Sequence, residues 1–253
     1  GYMVNKLIKN KHLNIFNLDK LGYASDLIRI NDQLKQLGND CTERYKFLKV
    51  DLINKKETIE AIDTTSPDLI VHFAAESHVD NSISSPEPFV LNNIIGTLNL
   101  LDATRIYLNK NEKKRSTFKF IQVSTDEVYG SLENNGFFSE NSKYDPRSPY
   151  SASKASCDHL ASAWFHTFNL PIITTNCSNN YGPWQFPEKL IPLVISKALK
   201  NEKIPLYGDG GNVRDWLFVE DHINALIRVI NYGKTGESYC IGGNCEKTNK
   251  EKI

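Results

Sequence analysis

Five short apolar runs, at 13–18, 45–50, 69–73, 118–123 and 171–175, alternate with stretches of helical pattern, and no other feature limits the fold as tightly. Such alternation is the mark of βαβ units, which place their strands side by side in a parallel sheet. The helical stretches lie at 54–63, 88–107, 150–168, 189–200 and 221–231. In 150–168 the spacing puts Leu160, Trp164 and Phe168 on one apolar stripe. The polar segment 109–116 reads as an exposed loop before a strand, and no internal repeat is present. The expected fold class is α/β, with a doubly wound parallel sheet.

At 253 residues the chain can bury a real core and suits one two-lobed domain or two small ones. Lys+Arg and Asp+Glu both number 30, so no charge excess points to a nucleic acid or an anionic membrane. No apolar run reaches membrane-spanning length. The cysteines Cys41, Cys157, Cys177, Cys240 and Cys245 form no C-x-x-C and no metal-ligand spacing; they read as reduced thiols of a cytoplasmic protein, with no metal site.

The run 118–123 ends in Ser124-Thr125-Asp126-Glu127, and Tyr150-Ser151-Ala152-Ser153-Lys154 follows. A Tyr and a Lys four apart share a helix face, where the ammonium can favour tyrosinate and so make a base for an alcohol. Alone, that spacing means only a solvated helix face. The adjacent acid pair would, alone, be an exposed turn before Tyr129-Gly130. Together they supply a base for oxidation, an acid, and a second base. That set of groups suits oxidation coupled to loss of water, with Thr125, Asp126, Glu127, Tyr150 and Lys154 as the catalytic residues.

Further blocks carry a resemblance: Phe73-Ala74-Ala75-Glu76-Ser77-His78-Val79-Asp80, Asn176-Cys177-Ser178-Asn179-Asn180-Tyr181-Gly182-Pro183, Pro187-Glu188-Lys189-Leu190-Ile191-Pro192 and Arg214-Asp215-Trp216-Leu217. With Ser124–Gly130 and the Tyr-x-x-x-Lys pair, the chain resembles the nucleotide-sugar 4,6-dehydratases, of the extended branch of the short-chain dehydrogenase/reductases. The resemblance spans nearly the whole chain. It implies a Rossmann-like sheet, NAD as cofactor, dTDP-glucose as substrate, and a homodimer built on the helices 88–107 and 150–168. It also implies a cofactor domain at 1–178, with 217–232 packing back on it, and a nucleotide-sugar lobe at 179–253. Residues 1–8 read as the first helix and 13–18 as the second strand of that fold. The first strand with its Gly-rich turn is therefore expected outside this sequence, as is the end of the smaller lobe, so the chain reads as a fragment.

Asp19 ends a strand, where a carboxylate suits ribose hydroxyls and repels a 2′-phosphate, which favours NAD over NADP. Lys20 and Leu21 would line the same pocket. Asp51 and Leu52 match an adenine contact, although Asp51 could instead cap the helix near residue 54. Phe73, Ala74 and Ala75 would let backbone approach the dinucleotide, with Asn92, Ser124, Lys154 and Asn180 beside it. Lys154 is expected to bind the nicotinamide ribose and to lower the pKa of Tyr150.

By resemblance, Tyr150 takes the C4 hydroxyl proton of the hexose, Thr125 bonds that hydroxyl, Glu127 takes the C5 proton and Asp126 protonates the departing C6 hydroxyl. This asks one carboxyl to be protonated and its neighbour ionised. Ser77, Asn179, Lys189, Leu190, Pro205, Tyr207, Arg214 and Asn249 fall at substrate positions. The runs of amides around Asn179 also suit an Asx turn, and Arg214 could instead pair with Asp215 or Asp221. Asn92, Asn81 and Cys240 depart from residues common in the family. Two alternatives stay open: a 4-epimerase or decarboxylase on the same fold, from which the Asp126-Glu127 pair distinguishes this chain, and a non-catalytic NAD-binding protein.

Overall fold

The computed structural model describes residues 1–132, 136–204 and 211–248; Pro205, Tyr207 and Asn249 lie outside the described residues. In chain order the first half comprises α1 (Tyr2–Leu7), β1 (Ile15–Asp19), α2 (Ile28–Leu37), α3 (Asn39–Glu43), β2 (Tyr45–Lys49), α4 (Lys55–Thr65), β3 (Leu69–His72), α5 (Val79–Ser84) and α6 (Glu87–Phe89). A π-helical stretch, Val90–Ile95, leads into α7 (Gly96–Lys110). The second half comprises β4 (Lys119–Thr125), α8 (Pro149–Phe168), β5 (Ile172–Cys177), β6 (Asn179–Tyr181), α9 (Leu190–Leu199), β7 (Val213–Phe218), α10 (Val219–Tyr232), β8 (Ser238–Ile241) and β9 (Glu246–Thr248).

The main sheet is parallel throughout, in the order β3-β4-β5-β8. After Lys119 every residue of β4 is buried, as expected of a strand covered on both faces. Phe120 packs on one side with Leu101, Leu108, Phe118 and Ala161. Its neighbour Ile121 packs on the other, with Ile173, Leu217, Ile223 and Leu226. Leu160 and Trp164 of the expected stripe pack against the first of these cores.

The doubly wound sheet read from the sequence is divided. β1 and β2 form a separate parallel pair. Among the described residues no strand joins β1 to β3. The loop after β2 is tied to α7 instead: Asn99 Nδ2 donates to the carbonyls of Leu52 and Ile53 at 2.8 and 3.0 Å. β8 also departs from the expected division, since this stretch of the second lobe pairs with β5 in the main sheet. The remaining strands form a small mixed sheet in the order β6-β7-β9. The expected loop at 109–116 holds the end of α7 and one 3₁₀ turn, Glu112–Lys114.

Local chemistry sets the two helix starts nearest the site. Asn54 caps α4 by accepting from Glu57 N at 3.3 Å, while its own Nδ2 donates to Glu57 Oε1 at 2.8 Å. Asp51 is thus not that cap; its Oδ1 accepts from Ile53 N at 3.0 Å. Ser148 and Ser151 form a reciprocal capping box at α8, with Pro149 in the first turn. That cap fixes where Tyr150 begins its helix. All five cysteines are free.

Candidate active site

Beyond the carboxyl ends of β3, β4 and β5 lies the crevice where open α/β sheets hold their ligands. β4 runs on through Ser124 and Thr125, so those two belong to the strand itself. Thr125 then caps the 3₁₀ turn Asp126–Tyr129, its Oγ1 accepting from Glu127 N and donating to Asp126 Oδ1, both at 3.3 Å. The turn ends at Gly130, whose φ of 84° and contact with the Asp145 carbonyl leave no room for a side chain.

The two acids do not titrate alike. Burial, and then the charge of Glu127, push Asp126 up from 3.8 to about 6. Burial raises Glu127 too, but Arg214 and Lys189 draw it back. Burial raises both acids, but the charge of Glu127 adds to it at Asp126 whereas Arg214 and Lys189 oppose it at Glu127, which is the direction the expected chemistry asks for.

Tyr150 meets them from α8. Its ring lies edge-on to Phe89 with centroids 6.4 Å apart. Burial and then Glu127 push its phenol above the ordinary value, while the Thr125 hydroxyl works the other way. The lowering of Tyr150 expected from Lys154 is not found. Lys154 is only 4% exposed, and its Nζ donates to the Val123 carbonyl at 2.8 Å. The ammonium is anchored under the strand end, and burial dominates at the phenol.

Around this centre the remaining residues fall into two groups. At the first strand pair, Asp19 Oδ1 accepts from Leu21 N at 2.7 Å, and Leu21 takes a φ of 56°. Lys20 Nζ donates to Asn92 Oδ1 at 2.5 Å and pairs with Glu76 at 3.3 Å, so Asn92 and Lys20 share one rim. Phe73 is 43% exposed at the end of β3, with Ala74 exposed beside it. Asn180 Nδ2 donates to the Ser178 carbonyl at 3.0 Å, while its Oδ1 is buried with no partner. An open floor of small residues, a strand-end carboxylate and an orphaned buried amide oxygen fit a dinucleotide.

On the second side, Lys189 Nζ donates to the Ser77 carbonyl at 2.9 Å and lies within electrostatic reach of Glu127; burial lowers its pKa. Leu190 opens α9. Asn179 pairs with Trp216 across β6 and β7. Arg214 acts on both acids, and no ion pair to Asp215 or Asp221 forms among the described residues. Asp215 is occupied elsewhere, its oxygens accepting from Gly243 N at 2.6 Å and Cys245 N at 2.8 Å.

Sequence reasoning missed Asn93. It is 1% exposed, accepts from Glu76 N at 2.7 Å, and donates to the Glu76 carbonyl at 3.0 Å and Ser153 Oγ at 2.8 Å. One amide thus ties the loop after β3 to the first turn of the Tyr150 helix. A polar residue on the inner face of an apolar helix was the only signal available.

A helix presenting Tyr and Lys to the carboxyl end of a parallel sheet, beside a floor fit for a dinucleotide, defines a nicotinamide-dependent enzyme of the extended short-chain dehydrogenase/reductase type. The acid pair narrows the class. The sequence profile of the GDP-mannose 4,6-dehydratase family matches residues 1–253, and the chain belongs to that family. It is 48% identical over 253 residues to a dTDP-glucose 4,6-dehydratase of Neisseria gonorrhoeae, covering 99% of this chain and 71% of that protein. The corresponding enzyme of Salmonella typhimurium is 47% identical over 261 residues, covering 99% and 71%. Among solved structures, a dTDP-glucose 4,6-dehydratase double mutant from Streptomyces venezuelae with NAD bound superposes with a TM-score of 0.87 at 37% identity, covering 99% of this chain and 74% of that one. A UDP-glucuronic acid 4-epimerase from Bacillus cereus shares the fold at 25% identity, with a TM-score of 0.83 and coverage of 98% and 76%.

Proposed function

We propose that this chain catalyses the NAD-dependent dehydration of dTDP-glucose to its 4-keto-6-deoxy product, a hydro-lyase reaction. The observation that carries the reading is the Asp126-Glu127 pair, with Asp126 pushed up to about 6, next to Thr125 and Tyr150. The names of the relatives support the same substrate. An epimerase needs only the reversible oxidation, and the acid pair would have no task in it.

NAD, when bound, would supply the hydride acceptor for C4 and the hydride donor for C6, so none would be consumed. Asp19, Lys20, Leu21, Asp51 and Leu52 would hold its adenosine half; Phe73, Ala74, Ala75, Asn92, Ser124, Lys154 and Asn180 would hold the remainder. The protein's own part is proton movement. Tyr150 takes the C4 hydroxyl proton, with Thr125 holding that oxygen. The 4-ketone acidifies C5, where Glu127 takes the proton, and Asp126 delivers its proton to the departing C6 oxygen. Ser77, Asn179, Lys189, Leu190 and Arg214 would grip the nucleotide sugar, Arg214 offering a fixed fork to diphosphate oxygens. Residues 1–178 with 217–232 and β8 form the cofactor side, and the rest of 179–253, apart from Asn180, forms the sugar-nucleotide side.

We read the enzyme as a cytoplasmic homodimer, with 88–107 and 150–168 at its interface. Val90 and Leu91 on the first of these are 47% and 39% exposed. No helix among the described residues is long and apolar enough to cross a membrane. Light scattering on the full-length protein tests the assembly.

The reaction is tested with full-length protein and dTDP-glucose, without added reductant. The readout is the alkali-induced absorbance of a 4-keto-6-deoxy product. Wild type should form it, and Glu127→Gln should stop at enzyme-bound NADH and 4-ketoglucose. Interconversion of glucose and galactose nucleotides would establish the epimerase instead. Bound NAD with no reaction on any nucleotide sugar would establish a non-catalytic protein.

A further inference from the structure

The catalytic groups stand on two separate elements: Tyr150 and Lys154 on α8, Thr125, Asp126 and Glu127 at the end of β4. We propose that Asp158 is the positioning residue that locks these two halves in register, an inference that rests on the dehydratase reading above. Asp158 lies one turn beyond Lys154 on α8 and is 4% exposed. Its Oδ2 accepts from Ser124 Oγ at 2.6 Å, Tyr144 Oη at 3.0 Å and Asn176 Nδ2 at 3.3 Å. Asn176 Nδ2 also reaches the Thr125 carbonyl at 3.3 Å.

One carboxyl oxygen therefore fixes the residue before Thr125 directly and the peptide after it through Asn176. It also draws in Tyr144, from the segment that leads back from the acid pair to α8. Side chains buried this deeply are held by the hydrogen bonds they make. Lys154 makes the parallel link from the same helix to Val123, so the strand end is clamped on α8 at Val123, Ser124 and Thr125 in succession. Asp158 makes no hydrogen bond to the acid pair and meets β4 through Ser124, so it acts through the strand. A misplacement of about 1 Å between reacting groups costs roughly a hundredfold in rate.

The test uses full-length, NAD-loaded enzyme and the variants Asp158→Asn, Ser124→Ala, Tyr144→Phe and the double variant Ser124→Ala/Asp158→Asn. Asp158→Asn keeps the shape and one accepting oxygen, but a neutral one that accepts more weakly, and it puts an amide donor where the other carboxyl oxygen is buried without a partner. Its kcat should fall about 10- to 100-fold, with KM for dTDP-glucose and NAD content within about twofold of wild type. Ser124→Ala should lower kcat less, and the double variant should be no worse than Asp158→Asn, because members of one network are not additive. Unchanged kcat in Asp158→Asn would overturn the proposal. So would a loss of activity that only follows a loss of NAD and of folded protein. Should Asp158→Asn fail to fold, Ser124→Ala and Tyr144→Phe decide it by the same split between kcat and KM. A wild-type enzyme inactive on dTDP-glucose would refute the reaction itself, a result distinct from an active wild type beside an equally active Asp158→Asn.

Discussion

Replacing Asp126 by Asn should make the protein more stable and the enzyme inactive, and the stability gain should depend on pH. Asp126 moves from 3.8 to about 6, chiefly through burial. A carboxyl whose folded pKa lies above its unfolded one binds its proton more tightly in the native state. Unfolding then releases that proton, and native stability falls as pH rises from about 4 to about 6. The penalty is absent below pH 4 and complete above pH 6. A displacement of this size corresponds to about 3 kcal/mol; partial contact with solvent reduces it to about 1–2 kcal/mol. Asn keeps the shape and has no charge to bury. Urea unfolding of wild type and Asp126→Asn should agree near pH 4 and separate by about 1–2 kcal/mol at pH 8, or roughly 2–8 °C in Tm. In the same variant oxidation at C4 should survive, leaving bound NADH, while no 4-keto-6-deoxy product forms. A variant no more stable than wild type at pH 8, or one with the same advantage at pH 4 and pH 8, would refute the electrostatic account.

The other expectations follow the same reasoning. Lys154→Met should leave the Val123 carbonyl without its donor and lower oxidation at C4 by roughly a hundredfold or more, measured as bound NADH in a single turnover. Asn93→Leu should cost about 2–4 kcal/mol in urea unfolding, since it strands the Glu76 peptide groups and the Ser153 hydroxyl; a loss below about 1 kcal/mol would show that water replaces the amide. His72 is buried and neutral, its pKa pushed from 6.5 to about 3 by burial and then by Lys154, with Nε2 2.9 Å from Thr97 Oγ1. Its native state resists protonation, so stability should fall by about 1 kcal/mol for each pH unit below 6.5, and His72→Gln should flatten that part of the curve.

Much of the site is legible in the sequence because its signals are local. A strand followed at once by Thr125-Asp126-Glu127 places the acids at a sheet's carboxyl end, and Tyr150 and Lys154 need only helical spacing to share a face. The helices α4, α7, α8, α9 and α10 are found for the same reason, each having an apolar pattern long enough to read, whereas α2 is not among the expected stretches. What escapes is whatever depends on partners far away in the chain. Asp158 meets Ser124 across 34 residues, and Asn93 meets Ser153 across 60; both look like stray polar residues on helices. β8 is four residues long, too short to be separated by pattern from the lobe around it. The expected lowering of the Tyr150 phenol by Lys154 fails because spacing reveals the neighbour but not the depth. Burial at that depth outweighs the ammonium, which is turned toward the Val123 carbonyl.

Depth also explains why the acid pair sits where it does. β4 has a strand on each side and is buried on both faces, so its end is held from every side. The same burial that raises the Asp126 pKa makes its ionised form costly, and the cost cannot be removed without removing the acid. A looser, wetter strand end would relieve the strain on the carboxyl and return its pKa toward the ordinary value. The rigid support and the perturbed acid are therefore one property of this position, and the clamp of α8 on Val123, Ser124 and Thr125 maintains both.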